Sequence, residues 1–223
     1  MTYSRFAIYY LPPAGALADF GAAWLGWDVA RGCDAVQPDV TGLDDITMTP
    51  RKYGFHGTLK PPFRLAEGTT ADDLKAAVAE VTANCPATHC DGLALTALGG
   101  FLALTPQGDT DGLRQVAGTC VQQLDRFRAP PNEAELARRR NAGLTPRQEA
   151  LLADWGYPYV MDEFRFHLTL SGRLDAKAIA RWTQVLEPRL PPLPAPFVVD
   201  AVALCGERQD GRFEQIQRYA LSG

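Results

Sequence analysis

The sequence predicts an α/β (α+β) chain built as two similar lobes, and three observations point to that class. Strand-like and helix-like periodicities alternate along all 223 residues. The order strand, helix, histidine-bearing strand, helix, strand occurs twice, over 5–97 and again over 101–204. An octapeptide frame also recurs, KYGFHGTL at 52–59 and EFRFHLTL at 163–170, so that two of the three histidines share one aromatic-x-Phe-His-x-Thr-Leu setting. Two copies are too few for a solenoid. They predict a duplicated lobe within a single bilobal domain, 1–223.

Each element follows from local residues. RFAIYYL, 5–11, is aromatic and β-rich and reads as a first strand ended by Pro12-Pro13. A helix is expected over 14–30, with Leu17, Phe20, Trp24 and Trp27 near one face, and the Gly-, Asp- and Pro-rich run 32–50 reads as a long loop. The first histidine strand, 52–60, is stopped by Pro61-Pro62. The stretch 70–84 is a helix with a Thr cap and early carboxylates. LALTALGGFLALTP gives two strands around Gly99-Gly100, and a helix follows over 111–127. The next segment is longer than a connection needs and is predicted as a helical insert, about 128–158. It comprises a charged helix over 132–140, a break at Asn141-Ala142-Gly143, and a short helix opening at Thr145-Pro146 with Thr as cap and Pro in the first turn. The second histidine strand spans 163–171, Asp175 caps a helix running to about Leu186, and PFVVDAVALCGE and FEQIQRYAL follow as two antiparallel strands.

Composition narrows the partners. At 46% hydrophobic and 22% charged, the chain is an ordinary globular unit of enzyme size. A net charge of −4 and a pI near 5.4 disfavour RNA and anionic membrane, which need a basic excess over a whole face. An anionic ligand therefore has to be held by a local cluster. No charged start leads into an apolar core, and no stretch approaches roughly 18 uninterrupted apolar residues, so no membrane partner and a cytoplasmic location are expected. Five irregularly spaced cysteines (Cys33, Cys85, Cys90, Cys120, Cys205) suit reduced thiols. Cys85, His89 and Cys90 crowd together, but no second cluster completes a four-ligand zinc site, and neither metal nor cofactor is expected.

Side-chain alternation sorts the repeated frame by face. Tyr53, Phe55, Gly57 and Leu59 oppose Gly54, His56, Thr58 and Lys60; in the second copy Phe164, Phe166, Leu168 and Leu170 oppose Arg165, His167, Thr169 and Ser171. A single His-x-Thr is a weak pattern that any amphipathic strand can produce, whereas its recurrence with the same preceding Phe calls for a shared role. Related by a pseudo-two-fold axis, the two strands would bring His56 and His167 together across a cleft as a general acid and base. Imidazole titrates near ~6.5, so at neutral pH one ring can accept a proton while the other donates one. The Thr58 and Thr169 hydroxyls would bond the non-bridging oxygens of a phosphate, and Lys60 and Arg165 would neutralise it. Such a site suits a phosphodiester, above all a cyclic one: one His activates water or a hydroxyl and the other protonates the departing alkoxide. One His per strand supplies too few ligands for a metal.

HGTL at 56–59 and HLTL at 167–170 resemble the signature of the 2H phosphoesterase superfamily, which includes RNA 2′,3′-cyclic phosphodiesterases and 2′-5′ RNA ligase-like proteins. The longer stretches KYGFHGTLKPPFRL, FRAPPNEAELARRRNAGLTPRQEALLADWGYPYV and DEFRFHLTLSGRL resemble one branch of it, a domain of unknown function attributed to phosphonate metabolism, from operons for carbon–phosphorus bond cleavage. The resemblance covers nearly the whole chain. It implies a bilobal α/β sandwich with a central cleft between two antiparallel sheets, and assigns His56, Thr58, His167 and Thr169 as catalytic and phosphate-binding residues. Its operon context implies a phosphoribosyl 1,2-cyclic phosphate as the small substrate, opened without a metal.

Outside the frame, Arg126, Arg128 and Arg138 to Arg140 are available for a second phosphate, although Asp125, Glu133 and Glu135 could balance the Arg138 to Arg140 run as a solvated face. Arg128 and Tyr159 are further candidate substrate-binding residues, with Tyr157 and Tyr159 both able to stack on a base or ribose. Arg5 and Tyr9 share a face of the first strand. The expected partner is a small phosphorylated sugar or nucleotide bound by a monomer. RNA end processing, and non-catalytic binding of a phosphorylated metabolite by the same four residues, are the alternatives.

Overall fold

In the computed structural model, residues 2–141 and 143–223 are described; Met1 and Ala142, the latter in the expected break between the two helices of the insert, lie outside the described residues. The elements are β1 (Phe6–Tyr10), α1 (Ala16–Leu25), β2 (Trp27–Asp28), β3 (Cys33–Asp34), α2 (Leu43–Arg51), β4 (Gly57–Phe63), α3 (Ala71–Ala83), β5 (Thr88–Cys90), β6 (Gly92–Leu98), β7 (Phe101–Gln107) and α4 (Asp111–Gln123). After them come α5 (Glu133–Arg140), α6 (Pro146–Trp155), β8 (Leu168–Thr169), α7 (Ala176–Leu186), β9 (Phe197–Val199), β10 (Ala201–Glu207) and β11 (Phe213–Ala220). The mixed α+β class with antiparallel pairing is as expected.

The main sheet has the order β11-β10-β1-β4-β8-β7-β6, antiparallel throughout. Both histidine strands are central, and they meet at one pair, Gly57↔Leu168. The halves of this sheet are not the halves of the sequence. The last strand of the first repeat, β6, pairs with β7 from the second, and the last strand of the second repeat, β10, pairs with β1 from the first. Gly99 and Gly100, with φ of 56° and 106°, allow the tight reversal that folds β6 straight back onto β7. The symmetric units are therefore β10-β1-β4 and β6-β7-β8, each holding one strand exchanged from the other repeat.

One face of the sheet carries the main core. Phe6, Ile8 and Tyr10 of β1 and Leu168 of β8 pack there against Trp24 and Leu25 of α1, Leu74 and Val78 of α3, Leu113 and Val116 of α4, and Trp182 and Leu186 of α7. Local signals set these helices. The Thr70 side chain accepts from the Asp73 N–H while Asp73 accepts from the Thr70 N–H, Thr145 and Gln148 repeat the arrangement on α6, and Asp175 caps α7. The opposite face has a smaller cluster, Ala7, Tyr9 and Leu11 of β1 with Ala203, Cys205, Phe213 and Trp27. Helices on one face leave the other free to carry a site.

Three expectations change. The predicted loop 32–50 contains α2, whose LDDITMTPR sequence has a weak helical pattern and a Pro near its end. The strand β4 is not stopped by Pro61-Pro62 but runs through to Phe63. Its β8 side is unpaired beyond Gly57, so the prolines remove no ladder bond there. The second histidine strand shrinks from 163–171 to Leu168–Thr169. Among the described residues, no helix is long and apolar enough to cross a membrane.

Candidate active site

Both histidines stand one residue before their strand, His56 ahead of β4 and His167 ahead of β8. In each, Nδ1 bonds the carbonyl two residues earlier: Gly54 O at 2.9 Å for His56 and Arg165 O at 2.8 Å for His167. A carbonyl only accepts, so Nδ1 carries the proton and Nε2 is the nitrogen left to exchange one. The His56 Nε2 accepts from the Thr58 hydroxyl at 3.0 Å. Gly54 has a φ of 71°, which aims its carbonyl back at the ring, and a Cβ there would lie 2.5 Å from Val29 Cβ. Gly57 is small for another reason: a Cβ would lie 2.4 Å from the Phe166 ring of the second copy.

Tyr9 forms the floor, with its ring 3.8 Å from that of His56, centroid to centroid, and tilted by 30°. Tyr9 is fully buried, and its phenol oxygen has no hydrogen-bond partner among the described residues. Burial pushes the Tyr9 hydroxyl well above its ordinary pKa. Burial also pushes His56 down to about 4, against the Gly54 bond, and His167 nearby lowers it further. His167 is lowered by burial as well, with the Arg165 carbonyl opposing. Both shifts favour the neutral imidazole.

Two clefts meet at His56 and Thr169. One, of about 360 Å³, is mostly apolar, with Tyr53, Pro50 and Phe101 on its walls. The other, of about 300 Å³, is lined by Tyr9, Thr58, Lys52, Arg138, Arg139 and Tyr157. The Phe101 ring lies 5.4 Å from that of His167. Among the described residues, no group of three or more His, Cys, Asp or Glu is arranged to hold a metal.

The structure thus gathers His56, Thr58 and Thr169 around these clefts, whereas His167 lines neither and stands behind Phe101 of the apolar one. The other expected residues lie elsewhere. Lys60 is 1% exposed and faces the helices, its Nζ donating to Val121 O at 3.0 Å and standing 3.5 Å from Asp125. The cause is a bulge: Tyr9 pairs with Thr58 but Ile8 pairs with Lys60, so β4 carries one extra residue between them and its alternation reverses. Arg165 is exposed and lines neither cleft; its carbonyl, not its guanidinium, touches His167. Arg128 is held by Asp125 at 2.7 Å and by Asp154 O at 3.2 Å, fastening α6 to the body. Tyr159 is 42% exposed, whereas Tyr157 lines the cleft. Sequence reasoning missed Tyr9 and Lys52. The clue to Tyr9 was Arg5, since a cation two pairs along the same face marks that face as the open one.

The family model for DUF1045, a protein of unknown function, matches residues 58–214. The chain belongs to the DUF1045 family. His167 falls inside the matched span and His56 two residues before it. The match bears out the resemblance to a domain of unknown function. This DUF1045 chain is 37% identical over 232 residues to a protein named ribose 1,5-bisphosphate phosphokinase PhnN from Janthinobacterium sp. (strain Marseille), covering 99% of this chain and 51% of that protein. It is 34% identical over 181 residues to a protein of the same name from Laribacter hongkongensis (strain HLHK9), covering 80% of this chain and 42% of that protein. The chain spans about half the length of the curated relatives it matches. Among solved structures, a phosphoesterase superposes over the whole of both chains at a TM-score of 0.46 and 16% identity, and E. coli LigT complexed with 3′-AMP over the whole of both at 0.45 and 16%.

Proposed function

We infer that this chain is a cyclic phosphodiesterase of the two-histidine type, a monomeric cytoplasmic enzyme acting on a small phosphorylated sugar. One observation carries the reading: the two His-x-Thr frames present the same Nδ1-to-carbonyl bond, at 2.9 and 2.8 Å, which leaves Nε2 as the exchangeable nitrogen of each ring, with His56 lining both clefts and His167 behind Phe101 of the apolar one. The reaction needs one Nε2 to take a proton from water as its oxygen attacks phosphorus. The other gives a proton to the departing sugar oxygen as the P–O bond breaks, and a phosphomonoester and a free hydroxyl result. The Thr58 hydroxyl, which otherwise donates to His56 Nε2 at 3.0 Å, turns to donate to one non-bridging oxygen, freeing that nitrogen, and the Thr169 hydroxyl donates to another. The acid's proton arrives with the substrate, because an anion between two neutral imidazoles raises the pKa of each. No step in this scheme calls on a metal.

The relatives' name supports the substrate class. Opening a phosphoribosyl 1,2-cyclic phosphate at O2 gives ribose 1,5-bisphosphate, the compound in that name. The present chain contains no G-x-x-x-x-G-K-[ST] phosphate loop, which sets it apart from the best-known ATP-binding pattern. The apolar cleft beside Phe101 and Tyr53 favours a second reading, a nucleoside 2′,3′-cyclic phosphate with its base in that cleft. Phosphorus NMR of 1,2-cyclic and 2′,3′-cyclic phosphates incubated with protein and chelator decides between them. Turnover is expected, with losses of about 10²- to 10⁴-fold in His56→Ala and in His167→Ala. Undiminished turnover in either variant would overturn the acid–base assignment.

A further inference from the structure

The cleft between His56 and the insert carries positive charge that the acid–base chemistry does not use. We propose that Lys52, Arg138 and Arg139 form a subsite for a second phosphate group, so that the substrate carries a cyclic ester at the histidines and a phosphomonoester against α5. The reacting end of that substrate rests on the cyclic-phosphodiesterase reading; the subsite itself does not.

All three cations line the same cleft of about 300 Å³ as His56, Thr58 and Thr169. Among the described residues none of the three forms an ion pair, in a chain where 26 Asp and Glu outnumber 22 Lys and Arg. Their neighbours are all neutralised: Arg5 by Glu207, Arg64 by Glu135, Arg128 by Asp125 and Arg140 by Glu149. Two of the three are braced by rings instead of carboxylates. The Arg139 guanidinium lies over Tyr157 at 4.5 Å and the Lys52 ammonium over Tyr53 at 4.8 Å. Ring stacking orients a guanidinium and leaves its charge in place.

The nearby carboxylates are already engaged. Glu207, close to Lys52, accepts from Arg5 Nε and from the Ser4 hydroxyl, both at 2.6 Å. Glu135, close to Arg138, accepts from Arg64 and from the Asn132 N–H, both at 2.9 Å. Below these cations the cleft is closed by the Tyr9 ring, which is fully buried, so the charge stands over an apolar floor. The helical insert thereby gains a role, since α5 carries two of the three cations into the cleft.

Calorimetric titration with ribose 5-phosphate tests the subsite without requiring turnover. Wild type is expected to bind it, and the double variant Arg138→Gln/Arg139→Gln to bind about tenfold or more weakly, as loss of charge-assisted bonds to phosphate implies. Lys52→Gln, on a different element, is expected to weaken binding in the same way, whereas Arg140→Gln in the same helix leaves it unchanged. Absence of wild-type binding, or equal binding by wild type, the double variant and Lys52→Gln, would overturn the subsite. A second measurement compares kcat/KM for a 2′,3′-cyclic nucleotide with and without a 5′-phosphate: the wild-type preference for the phosphorylated form should vanish in the double variant. If binding depends on Arg138 and Arg139 but no cyclic phosphate is hydrolysed, the hydrolase reading fails and the subsite stands. If hydrolysis occurs with no such preference and no arginine dependence, the reverse holds.

Discussion

Lys60→Met tests the bulge in β4, because it removes a cation that an unbroken strand would place in the cleft and the observed one places among the helices. The Lys60 ammonium is 1% exposed, donates to Val121 O at 3.0 Å and has Asp125 at 3.5 Å. Burial pulls its pKa from 10.5 down to about 8, with Asp125 opposing. At roughly 1.4 kcal/mol per pH unit, that interval corresponds to ~3 kcal/mol by which folding disfavours the charged form. The sign follows from proton counts. The folded pKa lies below the unfolded one, so the cost is fully present below about 8 and is relieved as pH rises toward 10.5, where the unfolded chain also loses its proton.

Denaturant unfolding of wild type and Lys60→Met at steps from about pH 7 to 10.5 isolates this contribution as a difference, since other groups titrate in both proteins. The wild-type free energy of unfolding should rise relative to that of the variant by ~3 kcal/mol across the window. Turnover of the cyclic phosphate should change by less than about twofold, because the side chain lies on the far side of the sheet. A flat difference curve together with a tenfold or larger loss of kcat/KM would refute the reasoning and put the ammonium in the cleft.

The pH profile of kcat/KM reports the free enzyme, and both imidazoles are pushed below their ordinary range by burial. The singly protonated pair, and with it the rate, should therefore peak on the acid side of ~6.5; an optimum at or above neutrality would refute the neutral pair. Gly54→Ala places a Cβ at 2.5 Å from Val29 Cβ on a residue with φ of 71°. It should cost about 1–3 kcal/mol in a thermal or denaturant melt and slow turnover by displacing the carbonyl that holds His56, while unaltered rate and stability would refute that role. Tyr157→Ala should raise KM by removing a cleft wall and the support of Arg139, whereas Tyr159→Ala at the exposed ring should not; steady-state kinetics on the two variants separates them.

What could be read from the sequence was what is local. The Thr70, Thr145 and Asp175 caps were legible because a cap is a bond between residues three apart. The placement of Thr58 beside His56 was legible for the same reason, with only Gly57 between them for an irregularity to enter. Lys60 failed because side-chain parity holds only over an unbroken pleat, and the bulge is defined by pairing with Ile8 and Tyr9, some fifty residues away in the chain. The exchange of β6 and β10 between the half-sheets was hidden likewise, since strand order is a choice among distant partners. Tyr157 and Tyr159 have the same parity and a similar setting, and only the packing of α6 against Val121 and Val160 decides which ring faces inward.

The histidine frames themselves separate a duplicated strand from a duplicated site. An amphipathic strand explains KYGFHGTL adequately, since β4 runs for seven residues. It does not explain EFRFHLTL, where only Leu168 and Thr169 are in strand conformation and the stretch before His167 has no ladder. What both copies keep is the bond from each histidine Nδ1 to the carbonyl two residues back, made by Gly54 with a positive φ in one and by Arg165 without it in the other. A sheet needs no such bond, and fixing a ring tautomer does. Retention of that contact across different backbones and different residues makes the fixed imidazole, and not strand formation, what the two frames have in common, which is what the proposed proton transfer requires.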